Sequence, residues 1–513
     1  MFLTITFLSF SLIITLFFFL YGFNHYFLLF SSKRYVPPIL PPGPPNSRPR
    51  VAIHLPIYNE KYVIRRLVDA CACMAELYGI EKVNIVIIDD SDDDTIQVVD
   101  QVVEDYLKRQ YRISVLRRGS RQGFKAGALQ AALEMAKEEF IAIFDADFVP
   151  PADFLVRTLP FFIQDDRLGV IQSRWAHINR DYNFLTRAIA TGIDVHFLIE
   201  QTGRYAGGCF QNFNGSGGAL RKRALLEAGG WQSDTLAEDL DASYRIQING
   251  YHVLYLNDLL CPGEVPPTVP SYKKQQGRWA CGSLRTARKL LPTLLENHKF
   301  SFKVRLQALI HLTNYLVHPL MATSFLLACM VTLLRVNMDN FSFGNSSTQT
   351  LAGSSVNLIA PQTVLWILIG FMIVLCTIAA WIPPIIALRA QDLSVARKIT
   401  SFVVLSLLGC GVSLSNSIEA GKGLFSNRSW AFRRTPKYAL QQNKGDWRGK
   451  RYQVSLDFVF FLEVAFVCLG GVSIGYSIMN SNLGVLLILV PFTAAYAFVS
   501  ALTILESRPD KGA

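Results

Sequence analysis

A chain of 513 residues that is 51% hydrophobic and 17% charged, with a mean hydropathy of +0.27, is too apolar for an ordinary soluble protein. Its formal net charge of +11 raises the question of nucleic acid, but no basic helix or RNA-type aromatic motif accompanies the charge, so no nucleic-acid partner is expected. Lys and Arg collected on cytoplasmic loops beside membrane spans account for the excess, which makes the lipid bilayer the expected partner. The nine cysteines are scattered, and Cys71 and Cys73, the one close pair, match no zinc or redox spacing; all are expected to be reduced.

The first element, residues 2–30, is one apolar run long enough to span a bilayer. A signal peptide fits it poorly, because the run is too long, lacks a basic start and shows no small-residue cleavage site. Residues 1–32 are therefore expected to be a transmembrane helix, and 33–48 a Pro-rich linker. Lys33 and Arg34 after the span place the following domain in the cytoplasm.

Residues 49–300 read as one α/β domain. The segment from Val51 to Pro56 predicts a short strand. Two continuous apolar runs, Val83–Ile88 and Phe140–Phe144, predict strands buried on both faces, ending at Asp89-Asp90 and at Asp145. Between them, Thr95–Arg109 and Lys125–Glu139 carry helical periodicity. Such alternation implies a parallel sheet with ligands at the carboxyl ends of its strands. Neither Gly-rich dinucleotide nor P-loop spacing is present.

At those strand ends stand the residues with chemistry to offer. Tyr58 can stack on a nucleobase, and Glu60 can accept hydrogen bonds from base or ribose. Asp90 can reach a ribose or base edge, whereas Asp92 to Asp94 are better placed to begin a helix. Asp145-Ala146-Asp147 puts two carboxylates on one face of an extended segment, a donor pair for a hard divalent ion that bridges substrate phosphates. Lys125 is a phosphate contact in one reading and a solvated lysine in the other. The turn Asn214-Gly215-Ser216 lets a sugar approach the backbone. Glu238 and Asp239 either open a helix or supply a general base, and Asp239 is the choice for that base. Gln275, Arg278 and Trp279 have helical spacing and offer a hydrogen bond, a donor fork for phosphate and an apolar face for a sugar ring.

Four further spans are expected at 306–334, 362–388, 456–478 and 483–504, so that 301–513 forms a membrane domain. The loop 335–361 is Asn/Ser/Thr-rich, as an external loop should be. Segment 401–418 is apolar but rich in Ser and Gly, and crossing would put the basic loop 419–455 outside. It is therefore expected to be an interfacial or re-entrant helix.

In their order, Asp90, Asp145/Asp147, Glu238/Asp239 and Gln275/Arg278/Trp279 resemble the D, D-x-D, [T/E]-E-D, Q-x-x-R-W pattern of the inverting family-2 glycosyltransferases, specifically the cellulose-synthase-like membrane synthases. Residues 140–148 and Phe213-Asn214-Gly215 are similar to the plant mannan and xyloglucan-backbone synthase-like branch and its prokaryotic relatives. In the processive members a gating loop, F-x-V-T-x-K, covers the nucleotide; here, within 428–440, Phe432, Thr435 and Lys437 match it and Arg434 replaces the valine. Ala237 stands where processive cellulose synthases carry Thr.

The resemblance implies a GT-A domain inserted between transmembrane helices of a multi-pass protein of the plasma or Golgi membrane. It implies Mg2+ or Mn2+ as cofactor, and inverting transfer of hexose from UDP-glucose or GDP-mannose to a growing β-linked glycan, with processive export of the polymer. The competing reading is non-processive glycosylation of a lipid or lipid carrier. A transporter or receptor with a degenerate nucleotide domain is opposed by the intact acidic motifs.

Overall fold

The structure is a computed structural model that describes residues 2–41, 48–334, 347–351, 354–358, 361–426, 435, 437–441, 444–448, 456–481 and 483–507. Seven strands form one sheet: β1 (Val51–Ile57), β2 (Val83–Asp89), β3 (Ile113–Leu116), β4 (Phe140–Ile143), β5 (Leu168–His177), β6 (Gly218–Arg221) and β7 (His252–Gly263), in the order β3-β2-β1-β4-β6-β5-β7. Strand alternation sorts the core. Val51, Ile53, Leu55, Ile85 and Ile87 face the helices Ile64–Tyr78, Thr95–Lys108 and Phe154–Gln164, while Ala52, Ile88, Ile141 and Ile143 face Phe124–Met135 and Glu238–Ile248.

Two details differ from expectation. The helix expected to run to Glu139 ends at Met135, where Ala136 turns extended and Lys222 donates to its carbonyl. The sheet is mixed rather than parallel, since β6 runs antiparallel to both β4 and β5. That reversal positions the site. An antiparallel strand begins where its parallel neighbour ends, and Gly218 pairs with Ile143. The turn Asn214–Gly217 is thereby delivered to the carboxyl end of β4, beside Asp145. The sheet order also reverses between β1 and β4, the switch point where open α/β sheets bind ligands.

Among the described residues, five helices are long and apolar enough to cross a membrane: Ser9–Ser32, Asn314–Leu333, Gly370–Arg389, Phe458–Met479 and Leu483–Ser507. The second is shorter than 306–334, because Phe302–Leu312 is a separate helix capped by Ser301. The expected interfacial segment 401–418 lies across two helices, Val395–Gly411 and Ser413–Phe425, bent by 47°. Ser413 satisfies the break by bonding Cys410 O at 2.6 Å and the Tyr496 hydroxyl at 2.8 Å. Val404 and Leu408 pack with Leu185 and Ile189 of the α/β domain and with Val499 of the last helix. Within the expected external loop, the described residues form a hairpin of Ser347–Leu351 and Ser354–Leu358. The linker is anchored at Tyr35, whose hydroxyl accepts from Asn257 N at 3.1 Å.

Candidate active site

The ends of β1 and β2 are locked together before they meet the cleft. Asn59, at φ 55°, donates through its amide to Asp92 at 2.7 Å and accepts from Asp92 N at 3.0 Å. Asp89 is buried, caps Ser91 N at 3.0 Å and takes a bond from Arg117 Nε at 2.9 Å, so its role is to hold the strand end. Asp90 faces the cleft and is braced by Arg118 through both carboxylate oxygens. Tyr58 and Glu60 line the same cleft; Arg121 lies 3.3 Å over the Tyr58 ring, so that face of the ring is covered.

Lys125 gathers the acidic motifs. Its Nζ is 2.6 Å from Asp145 Oδ1 and 3.6 Å from Glu238 Oε1, and donates to Gly215 O at 3.1 Å. Burial works against its charge, but Asp145, Glu238 and Asp239 outweigh burial and hold its pKa above the ordinary lysine value. The Asp145 backbone N–H donates to Ser216 Oγ at 3.0 Å, which fixes the turn to the D-x-D segment.

Glu238 and Asp239 do begin the helix Glu238–Ile248, and they also face the cleft, so the two readings coincide. Asp239 Oδ1 accepts from Leu240 N at 2.8 Å. Burial raises the Asp239 carboxyl, the Glu238 carboxylate raises it further and Lys125 opposes them, leaving it at about 7. Such a value suits a general base at neutral pH. Gly215 makes room for it: with φ at +78°, a Cβ there would sit 2.6 Å from Asp239 Oδ2.

One long helix, Val269–Glu296, carries Gln275, Arg278 and Trp279 to the cleft. Arg278 donates to Thr435 Oγ1 at 3.1 Å, and Lys437 Nζ lies 2.5 Å from Asp147 Oδ2. Thr435 and Lys437 therefore close the cleft over the D-x-D segment; Phe432 and Arg434 lie outside the described residues. Gln275 Oε1 is buried and has no hydrogen-bond partner among the described residues, an acceptor left over for a ligand hydroxyl. Ala237 packs against Gly282 of this helix, where a Cβ would lie 2.7 Å from that of Ala237.

These side chains line one cavity of about 180 Å³. A second, of about 300 Å³, continues from it past Trp175, Asn214, Asp239 and Trp279, residues common to both. The second cavity runs to Tyr272, His311, Asn314 and Tyr315, at the start of the candidate span Asn314–Leu333.

The sequence family described as Glycosyltransferase like family 2 matches residues 49–282. This chain carries a family 2 glycosyltransferase domain. Its mixed α/β sheet is GT-A-like, with apolar helices before and after it in the sequence. Probable glucomannan 4-beta-mannosyltransferase 4 of Oryza sativa subsp. japonica is 34% identical over 300 residues, covering 57% of this chain and 54% of that protein. Probable glucomannan 4-beta-mannosyltransferase 1 of Arabidopsis thaliana is 33% identical over 261 residues, covering 50% and 47%. The chain thus spans about half the length of the curated relatives it matches. Among solved structures, a mannosyltransferase from Pyrobaculum calidifontis in complex with GDP-Man and Mn2+ is 21% identical, with a TM-score of 0.48, over 72% of this chain and 98% of that one.

Several residues of the glycosyltransferase domain's cleft carry no motif that singles them out in the sequence. Trp175 lines both cavities and donates to Ser216 O at 3.0 Å. Glu264, above its ordinary pKa through burial against the pull of Arg66, takes the Arg66 guanidinium at 2.8 Å and Tyr438 N at 3.3 Å. Arg118 and Arg121 sit in an Arg-rich loop, 117–121, opposite the Asp-rich loop 89–94; that charge complementarity was the one available signal.

Proposed function

We propose that this chain is an inverting membrane glycosyltransferase that moves a hexose from a nucleotide sugar to a growing β-linked glycan. One observation carries the reading: Asp90, Asp145, Asp147, Asp239, Gln275, Arg278 and Trp279, from four separate segments, line one cleft, and the base candidate among them, Asp239, is held near neutrality. In the transfer, Asp239 takes the proton of an acceptor hydroxyl. The hydroxyl oxygen bonds to the anomeric carbon as the bond from that carbon to the diphosphate breaks, and the diphosphate leaves with the electron pair. A single displacement inverts the anomeric centre without a covalent sugar–enzyme intermediate.

Asp145 and Asp147 fit a hard divalent cation, Mg2+ or Mn2+, since both carboxylates open onto the cleft. No group of three Asp, Glu, His or Cys side chains among the described residues could hold a metal ion by itself, so Asp145 and Asp147 would share the ion with substrate phosphate and water. When bound, such an ion neutralises charge on the departing diphosphate. Lys125, Lys437 and Arg278 add fixed positive charge on the same side, and Asp90, Tyr58 and Glu60 suit the nucleoside.

Trp279 offers its indole face to an acceptor sugar, with the Asn214–Ser216 turn opposite the base. The second cavity, leading from Asp239 to Asn314 and Tyr315, supports a glycan that leaves between the membrane helices from a cytoplasmic active site. The names of the relatives favour GDP-mannose over UDP-glucose as donor. Purified protein supplied with a panel of nucleotide sugars and Mg2+ or Mn2+ tests this. Release of GDP from GDP-mannose, with a polymer cut by a β-mannanase, is the expected result. A single-sugar lipid as sole product would replace the processive reading, and no nucleotide release from any donor would refute the enzyme.

A further inference from the structure

A second polar cluster borders the larger cavity and is not used by the chemistry above. It begins in a six-residue π-helical segment, His196–Gln201, a local widening that recurs at functional sites. His196 Nδ1 lies 3.0 Å from Glu200 Oε2, and its Nε2 lies 3.2 Å from Asn214 Oδ1.

The hydrogen-bond chain determines which atoms donate. Arg204 is a donor only, and its Nη2 meets Asn212 Oδ1 at 3.2 Å. Asn212 must then turn its amide nitrogen to Asn214, which it meets at 2.6 Å, so Asn214 presents its oxygen. His196 Nε2 faces that same oxygen and must carry a proton. Its Nδ1 faces the Glu200 carboxylate and must carry one too. With both ring nitrogens donating, His196 ties Glu200 and Asn214 to one ring. Glu200 is held below the ordinary glutamate pKa, burial being outweighed by His196 and Arg204.

We propose that His196 is a positioning residue: bonded to both Glu200 and Asn214, it clamps the Asn214–Gly215 turn against Asp239. The consequence for catalysis rests on the function proposed above. Gly215 is the lever, because its Cα abuts the base and its carbonyl holds Lys125. The other ionisable groups around His196 are Glu200 and Arg204 from its own stretch of chain, His25 of the N-terminal helix acting on Glu200, His311, and Tyr315 and Asp239 across the cavity.

The test uses the full-length protein in lipid nanodiscs. His196→Leu is expected to lower kcat by about tenfold to a hundredfold with donor KM within about threefold, because a turn misplaced near the base spoils alignment rather than donor binding. His196→Gln keeps a donor to Asn214 and retains at least about a third of kcat. Equal losses in the Leu and Gln variants at His196 would overturn the clamp. An activity-independent readout separates this from the proposed function. Hydrogen exchange across 212–217 should be faster in His196→Leu than in wild type and unchanged in His196→Gln. Equal exchange overturns the clamp, whereas a wild type that turns over no donor overturns only the enzyme reading.

Discussion

Replacing Asp239 by Asn separates the role of its carboxylate in catalysis from its cost in stability. The carboxyl moves from 3.8 to about 7, through burial first and Glu238 second. At about 1.4 kcal/mol per pKa unit, that disfavours the ionised form in the folded protein by about 4 kcal/mol. Solvent in the cleft reduces the effective figure to about 2 kcal/mol. The sign follows from linkage: the folded state holds the proton more tightly than the unfolded chain, so stability is full below about pH 4 and is lost as pH rises through about 7. The Asn variant lacks that loss. At pH above 7 it should melt about 4 °C higher than wild type, and the gap should vanish near pH 4. Nucleotide release should fall at least about a thousandfold, with donor binding retained. Wild-type kcat should also decline as pH drops below about 7, where the base becomes protonated. Thermal melts and turnover in nanodiscs across pH read all of this. A variant that turns over normally, or that is no more stable than wild type above pH 7, would refute the assignment.

Gly215→Ala should abolish most turnover, at least about a hundredfold, because the new Cβ meets Asp239 Oδ2 at 2.6 Å and the backbone is left-handed; kcat against melting midpoint distinguishes this from unfolding. Chelation of divalent ions should stop nucleotide release and added Mn2+ or Mg2+ should restore it, while Asp147→Asn should need more metal for half-maximal rate than wild type. Glu463→Leu alone should cost about 3–5 kcal/mol by leaving Lys273 buried without its partner, and Lys273→Met in the same chain should recover most of it, as a double-mutant cycle of melting midpoints would show.

The elements that were legible are those whose burial is written in apolar residues. Val83–Ile88 and Phe140–Phe144 face core on both sides, so their ends, and the acids there, can be located from composition alone. The strand β5 was not, because its cleft half is built from buried polar side chains. Gln172 accepts from Asn214 N at 2.8 Å, Ser173 donates to Gly217 O at 2.6 Å and Trp175 bonds Ser216 O, all across about 40 residues of chain. A polar residue satisfied at such range looks like a surface residue in the sequence. The same holds for Arg118, which reads as part of a basic loop until Asp90 is seen opposite it. The π-turn at His196 has no periodic signature at all, and the antiparallel turn of β6 follows from only four residues. Residue types at the site were thus readable, and the contacts that orient them were not.

The helix Val269–Glu296 joins the cleft to the candidate membrane-spanning helices. Its cleft face presents Gln275, Arg278 and Trp279, Lys289 near its end pairs with Asp241 of the α/β domain, and further contacts run to the apolar helices. Glu506, at the end of the last helix, caps Val269 N at 2.6 Å; Lys273 is paired inside the protein with Glu463 of Phe458–Met479. Gly423 of the bent pair comes so close that a Cβ would lie 2.5 Å from Cys281 O. A buried ion pair contributes little net stability compared with apolar packing, but it resists sliding, because displacement strands both charges. Register between this helix and the candidate spans is therefore what these contacts fix. If Trp279 stacks on the acceptor, that register sets the height of the newly bonded sugar relative to the cavity leading to Asn314 and Tyr315. Loosening Lys273–Glu463 while keeping the fold, as in the apolar double variant, should then leave donor turnover measurable while shortening the glycan. An unchanged product length would mean that the helix serves the donor alone.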